Sequence, residues 1–299
     1  MSASQNSSKM ITRAAYTLAA RLASFYINKG WRHPGTASLD TPWYRSFCVR
    51  AAEEKTVFSK FRSDFRYGLF VENNNEDEGR YYLETALAGC PHYAQFLDRF
   101  RTGDRFGGAR KFSYGKRGLF APTTLRYVKY LSDCERLFGS FDSKVVAEIG
   151  VGYGGLAKIF FDRFDLERYV LIDLPETLAL TRKYLTTALG PGTVQSKLEF
   201  VNALDPKELA AKLKPQYFDL ALSIRGFSSC RRDVQKKYLE YVLNTSNNGY
   251  MVTDSLAGAF GISRHRDEEV LLLLQKDVSI ESDPAWWWDD SARIWTWFG

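Results

Sequence analysis

Four glycines and two carboxylates fall at spacings that suit a nucleotide site. Val145-Val146-Ala147-Glu148-Ile149 is an apolar run carrying one acid, and Gly150-Val151-Gly152-Tyr153-Gly154-Gly155 follows it directly. This reads as a buried strand entering a turn that opens a helix. Glycine is needed in such a turn because the backbone takes positive φ or lies against a ligand with no Cβ between. Leu156, Ile159, Phe160 and Phe164 then recur at helical spacing, so the helix is predicted to pack on the sheet with its N-terminal amides toward the ligand. Gly150, Gly152 and Gly155 satisfy the dinucleotide pattern GxGxxG, whereas Glu148, Gly150, Gly152 and Gly154 satisfy the acidic ExGxGxG pattern of S-adenosylmethionine (SAM) sites. Glu148 favours SAM, since a carboxylate suits a cationic methionine end and sits badly beside a pyrophosphate. Arg168-Tyr169-Val170-Leu171-Ile172-Asp173 is a second strand ending in a carboxylate, 25 residues after Glu148. That is where ribose hydroxyls are held in either cofactor.

The elements that must position these groups follow from periodicity. Alternating strand and helix patterns begin at Ser143, with strands predicted near 144–149, 168–173, 198–202, 217–224, 249–254, 278–282 and 292–298. The helix after the third strand carries its own start signal: Asp205 as N-cap, Pro206 at the first position and Glu208 placed as in a capping box. The last two strands follow one helix and are separated by a short segment. That suits an antiparallel terminal hairpin better than the repeated crossovers of a dehydrogenase. The expected fold is an α/β, Rossmann-like seven-strand sheet of the class I SAM-methyltransferase type with an N-terminal, mainly helical extension. The division is residues 1–42, a polar start and amphipathic leader helix; 43–140, the helical extension; and 141–299, the core. Leu174, Asn202 and Ser223, at the ends of the second, third and fourth strands, join Glu148, Gly150, Gly152, Gly154 and Asp173 as expected cofactor contacts.

Composition narrows the class. The chain has 299 residues, 45% of them hydrophobic, and a formal net charge of +6, enough apolar residues for a sizeable core and too diffuse a positive charge to indicate nucleic acid. Cys48, Cys90, Cys134 and Cys230 form no CxxC or Cys/His cluster, so reduced thiols, no zinc site and no other metal are expected, in a cytoplasmic setting. No apolar run is long enough to span a bilayer. Residues 1–39 hold Lys9, Arg13, Arg21, Lys29 and Arg32 with no acid before Asp40, and Ile11, Ala15, Leu18, Leu22 and Phe25 make one apolar stripe. An ordinary packed helix is the preferred reading, with peripheral membrane contact or an organellar leader as alternatives.

Further motifs carry a family resemblance over roughly residues 55 to 299. The pieces are Gly103-Asp104-Arg105-Phe106-Gly107 with Tyr114; Ala121-Pro122-Thr123-Thr124-Leu125-Arg126-Tyr127; the turn from Glu148 to Gly155; Ile172-Asp173-Leu174-Pro175-Glu176 with Tyr184-Leu185; and Gly261-Ile262-Ser263 through Glu281, Pro284 and Trp295. Together they resemble the sugar O-methyltransferases encoded with surface-polysaccharide biosynthesis genes. The resemblance implies SAM as cofactor and a sugar or glycan hydroxyl as acceptor, with Asp104 as a candidate base and Tyr114 and Arg126 on the acceptor. The chain departs from the family after the fourth strand. Such proteins read close to Asn-Tyr-Ala-Phe-Ser-Glu, and this chain has Ile224-Arg225-Gly226-Phe227-Ser228-Ser229. Ser229 stands where a carboxylate is expected, which implies an altered acceptor, a base moved elsewhere, or lost activity.

A sugar hydroxyl must lose its proton to attack a methyl group, so a base is sought at the carboxyl ends of the fourth and fifth strands. His265 ranks first for its ordinary pKa near neutrality and Asp254 second for its strand-end position. Arg225 is expected to meet an acidic sugar or phosphate, or to pair with a structural carboxylate. Trp286, Trp287 and Trp288 suit stacking on sugar rings, while Trp295 and Trp297 on the last strand are better read as packing. Two rival functions remain open: an NAD-dependent oxidoreductase using the same glycine turn, and a catalytically inactive methyltransferase-fold interaction module.

Overall fold

A computed structural model describes residues 35–68, 71–214, 216–254, 262–283 and 292–299. The strands in chain order are β1 Phe112–Ser113, β2 Leu119–Phe120, β3 Val145–Ile149, β4 Arg168–Asp173, β5 Leu198–Asn202, β6 Phe218–Ile224, β7 Ser246–Thr253, β8 Val278–Ser282 and β9 Arg293–Trp297. The longer helices are α1 Pro42–Glu53, α2 Glu76–Gly89, α3 Pro122–Phe138, α4 Gly155–Arg163, α5 Pro175–Leu189, α6 Pro191–Lys197, α7 Pro206–Leu213, α8 Arg232–Tyr238 and α9 Asp267–Leu274. The leader stripe, Gly261, Pro284 and Trp286 to Trp288 lie outside the described residues. Among those described, no helix is long and apolar enough to cross a membrane.

The large sheet runs β5-β4-β3-β6-β7-β9-β8. β3 through β7 pair in parallel, and β9 is antiparallel to both β7 and β8. The chain builds outward from β3 to β5 and returns to lay β6 on the other side of β3, so the order reverses at the β3/β6 boundary. In open parallel sheets, ligands bind at the carboxyl ends of the strands at such a boundary. An antiparallel last strand slotted between β7 and β8 makes this the class I methyltransferase sheet, with the expected helical extension before it.

Alternation along each strand sends side chains to two packed faces. Val146, Tyr169, Leu171, Leu220, Leu222 and Tyr250 face α3, α4 and α5 together with the extension. Val145, Ala147, Ile149, Val170, Ile172, Trp295 and Trp297 face α7, α8 and α9. Trp295 and Trp297 are thus core residues, 1% and 0% exposed, and Trp297 leaves room only for glycine at Gly249 on the neighbouring strand.

Two local expectations change on contact with the tertiary structure. Asp205 caps α7 as its sequence implies, accepting the amides of Lys207 and Glu208. Glu208 does not close a capping box; its carboxylate takes the Asn202 amide at 3.3 Å and Lys212 at 2.8 Å, which pins α7 to β5. The helix α4 is expected to have one apolar face, yet Gly155 through Asp162 are all buried. The extension covers its second face: Lys158 donates to the Arg99 carbonyl at 2.8 Å and to Thr102 Oγ1 at 2.7 Å, and is ion-paired with Asp162.

Arg62 is the hub of the extension. Its side chain is fully buried, ion-paired to Glu72 at 2.5 Å and to Asp104 at 3.0 Å, and its guanidinium lies 4.9 Å from the centre of the Tyr153 ring in the glycine turn. Removing one member of a buried ionic cluster leaves its partners charged and unpaired, at a cost of about 3–5 kcal/mol. Arg62→Ala is therefore expected to lower unfolding free energy by about that amount in urea titrations. A loss below about 1 kcal/mol would show that the cluster does not hold the extension to the turn.

Candidate active site

The glycine turn is a strained backbone made possible by missing side chains. Gly150, Gly152 and Gly154 all have positive φ, at 80°, 55° and 86°. These are the glycines of the acidic pattern. Gly155, which the dinucleotide pattern needs instead, serves packing: a Cβ there would press into Tyr127 and Tyr153. A Cβ on Gly152 would meet nothing within 4 Å, so this stretch of backbone faces open space. At the β3/β6 boundary the two loops touch. A Cβ on Gly150 would come within 2.5 Å of the Gly226 Cα, and one on Gly226 would overlap the Ile149 carbonyl.

Asp173 closes the turn against β4. Its carboxylate accepts the amides of Gly152 at 3.1 Å and Leu174 at 2.7 Å. Burial pushes this carboxyl up to about 6, while those amide bonds pull it back down. Thr181 on α5 donates to the Gly152 carbonyl at 2.7 Å, so both polar groups of that peptide are held. Leu174 is buried at the start of α5, and Asn202 lies beside Asp173 in register, its side chain accepting the Leu204 amide. Ser223 is 1% exposed; its hydroxyl donates to the Ile149 carbonyl at 3.2 Å and accepts the Phe227 amide at 2.8 Å. It acts as a clamp between the two loops. The open backbone at Gly152 beside the acid at the end of β4 leaves room for a nucleoside.

Glu148 is also buried, and faces the extension rather than the mouth of the turn. Tyr169 Oη donates to it at 2.7 Å. Burial raises the carboxyl to about 8, the tyrosine bond opposes the rise, and the nearby Asp173 charge adds to it.

The expected acceptor-side residues fall in two places. Arg225, at the end of β6, has φ of 66°, an uncommon conformation for a side-chain-bearing residue. It is ion-paired to Asp254, just past the end of β7. His265 packs beyond the same loop, its amide donating to Gln235, which in turn donates to the Phe227 carbonyl. Neither ring nitrogen makes a hydrogen bond, and Nδ1 lies 3.7 Å from a Glu269 carboxylate oxygen. Burial and the nearby Arg232 charge lower its pKa, with Glu269 opposing them. Asp104, in contrast, is enclosed in the extension, bonded to Arg62, to Thr124 Oγ1 at 2.6 Å and to the Ala121 amide at 2.8 Å. Tyr114 packs over Gly79 of α2, and Arg126 is buried with Nη2 donating to the Val71 carbonyl at 3.2 Å.

Sequence reasoning passed over Tyr153, Thr181 and Gly226. The first sits inside the quoted turn and the last lies two residues past the end of β6, so both carried a signal; Thr181 carried none. Among the described residues, Cys90, His92 and Glu135 bring three donor atoms within 4.8 Å of one another. They stand near the carboxyl end of α3, which leads into the start of β3, and Glu135 is already paired with Arg163.

No family model matches the sequence and no curated protein matches it. Solved structures with a similar fold over 58% of this chain include the pyocyanin biosynthetic protein PhzM, at 17% identity and TM-score 0.40 over 57% of that chain. Others are the methyltransferase domain of bacterial CtHen1-C, at 12% identity and TM-score 0.44 over 96% of it, and PigF with SAH, at 13% identity and TM-score 0.38 over 59% of it. The match thus spans little more than half the length of PhzM. The fold assignment rests on strand order and register, independently of these likenesses.

Glu148 sets a pH signature. A carboxyl raised by burial stabilises the fold fully below its unfolded pKa, and that contribution is lost as pH rises through the folded value, here about 8. The stability of the wild type relative to Glu148→Gln should therefore fall by roughly 1.4 kcal/mol per unit as pH is raised from 5 toward the folded value of about 8, and level off above it. A difference that stays flat in urea titrations across the range refutes the buried-acid assignment.

Proposed function

We propose that this protein is a SAM-dependent O-methyltransferase acting on a sugar hydroxyl in a surface glycan or its activated precursor. The observation that carries the cofactor reading is the glycine turn with three positive-φ residues, locked to Asp173, at the strand-order reversal of a class I methyltransferase sheet. The antiparallel β9 weighs against the NAD-dependent alternative. The sugar acceptor rests on the motif resemblance.

SAM supplies an electrophilic methyl group whose leaving sulfur departs as a neutral thioether. The protein has to place the acceptor, exclude water and take one proton. His265 is proposed as the base. Burial and Arg232 lower its pKa, and its ring makes no hydrogen bond, with Glu269 3.7 Å from Nδ1 as the competing partner. With SAM bound, His265 would take the proton that the acceptor hydroxyl gives up on methylation. Asp254 is the second candidate, with its ion pair to Arg225 as the competing use of its charge. Asp104 is proposed to position the extension, since its oxygens already hold Arg62, Thr124 and Ala121. Arg225 is proposed to meet an acidic group on the acceptor, while Tyr114, packed over Gly79, and Arg126, bonded to the Val71 carbonyl, are proposed to support the extension.

Asp173→Ala is expected to fold and to bind SAM at least about ten-fold more weakly by calorimetry, given roughly 1.5–3 kcal/mol for a hydrogen bond to a charged group. Unchanged affinity would reject the ribose role. On a panel of nucleotide sugars and glycans, His265→Ala should cost about 10²–10⁴-fold in turnover with little change in SAM affinity, and should lose the rising limb of the pH profile. A dead Asp254→Asn beside an active His265→Ala would transfer the base to the carboxylate. SAM binding with no turnover on any acceptor would favour the inactive interaction module.

A further inference from the structure

The segment from Thr36 to Cys48 is tied down on both sides of the glycine turn. On one side it joins the loop after β6: Ala37 forms a β-bridge with Cys230, Ser38 donates its amide to the Ser229 carbonyl at 2.9 Å, and Arg231 donates to the Thr36 carbonyl at 2.9 Å. On the other side it joins α5, which follows β4. There α1 packs along α5, Arg45 reaches Glu176 at 3.4 Å, and Tyr44 and Cys48 are buried close enough to Asp173 for its charge to act on both. In the sheet, β3 lies between β4 and β6. A segment anchored to the elements after both flanking strands must therefore cross the carboxyl end of β3, where Gly150 to Gly154 stand.

The crossing has its own internal lock. Asp40 is 4% exposed and holds four groups of the segment: the amide and hydroxyl of Thr36, and Nε and Nη2 of Arg45 at 2.6 Å each. One carboxylate thus closes the turn on the β6 side and aims the arginine that reaches α5.

We propose that residues 36–48 form the roof of the cofactor site, with Asp40, Arg45 and Glu176 as a latch that must open for the cofactor to enter and leave. The inference rests on the SAM reading above. Ser229 presents its backbone carbonyl to the roof, and its hydroxyl donates to the Gly226 carbonyl at 2.8 Å.

Two cysteines report the roof without any ligand. Cys48 lies in it and Cys230 beneath its bridge, and burial pushes both thiols up to about 12, with the Asp173 charge adding to the rise. Cys90 and Cys134 are buried elsewhere and serve as internal controls. In iodoacetamide labelling read by mass spectrometry, Arg45→Ala and Asp40→Asn are expected to label Cys48 and Cys230 at least about five-fold faster than wild type, with the controls unchanged. S-adenosylhomocysteine should slow labelling of that pair in the wild type. Stopped-flow binding should show both its association and its dissociation accelerated by a similar factor in the variants. If Asp40→Asn labels all four cysteines together it has unfolded globally, and Arg45→Ala decides. Binding by the wild type with rates and labelling unchanged in Arg45→Ala overturns the roof and leaves the cofactor reading standing. A wild type that binds neither SAM nor S-adenosylhomocysteine overturns the cofactor reading, and the roof with it.

Discussion

The hydrogen bond from the Gly152 amide to Asp173 is the constraint that gives the glycine turn its shape. A turn made of glycines has almost no side-chain packing of its own and loses the most conformational freedom on ordering. Its shape must therefore be imposed by neighbours. Asp173 takes the amide of the central peptide and Thr181 its carbonyl, so α5 and β4 grip the turn from one side. Gly226 presses on Gly150 from the other, and Ser223 bonds across the two loops.

Behind the turn, the extension does the same work with buried charge. Arg62 stacks on Tyr153, Lys158 on α4 reaches carbonyls of the extension, and Lys129 on α3 pairs with Asp133 at 2.7 Å while donating to Tyr250 Oη on β7 at 3.3 Å. Each of these cations is nearly inaccessible to water. Taking such groups from solvent costs several kcal/mol apiece, offset only when geometry and partners are right. Clusters of this kind add little to stability over an apolar core of the same volume. What they do is penalise any shifted docking of the extension, because a slipped helix would strand a charge in the interior.

The same economy explains why some motif residues lie away from the mouth of the site. Asp104 and Tyr114 belong to segments that stand out in the sequence, and both are enclosed among extension side chains. A segment can be distinctive because it supports the turn through Arg62 rather than because it meets a ligand. His265 and Asp254 differ: both are held close to the loop after β6, one with a ring that makes no hydrogen bond and lies 3.7 Å from Glu269, the other paired to an arginine in a strained backbone.

What the sequence alone determined is everything that depends on neighbours a few residues away. The alternation of apolar residues set the strands of the large sheet within a few residues of their observed bounds, and the glycine spacing located the turn. Asp205 with Pro206 marked the start of α7. The antiparallel pairing of the last two strands followed too, since only a short segment separates them. What only the tertiary structure decided is which partners distant residues find. Nothing in the local pattern of Glu208 shows that its carboxylate will be drawn to Asn202 instead of its own cap, or that α4 will be covered on both faces, or that a segment near Asp40 will cross the end of β3. Those outcomes turn on desolvation and ion pairing between groups as much as 62 residues apart in the extension and farther still across the crevice. Such energies have no periodicity, and a one-dimensional pattern cannot carry them.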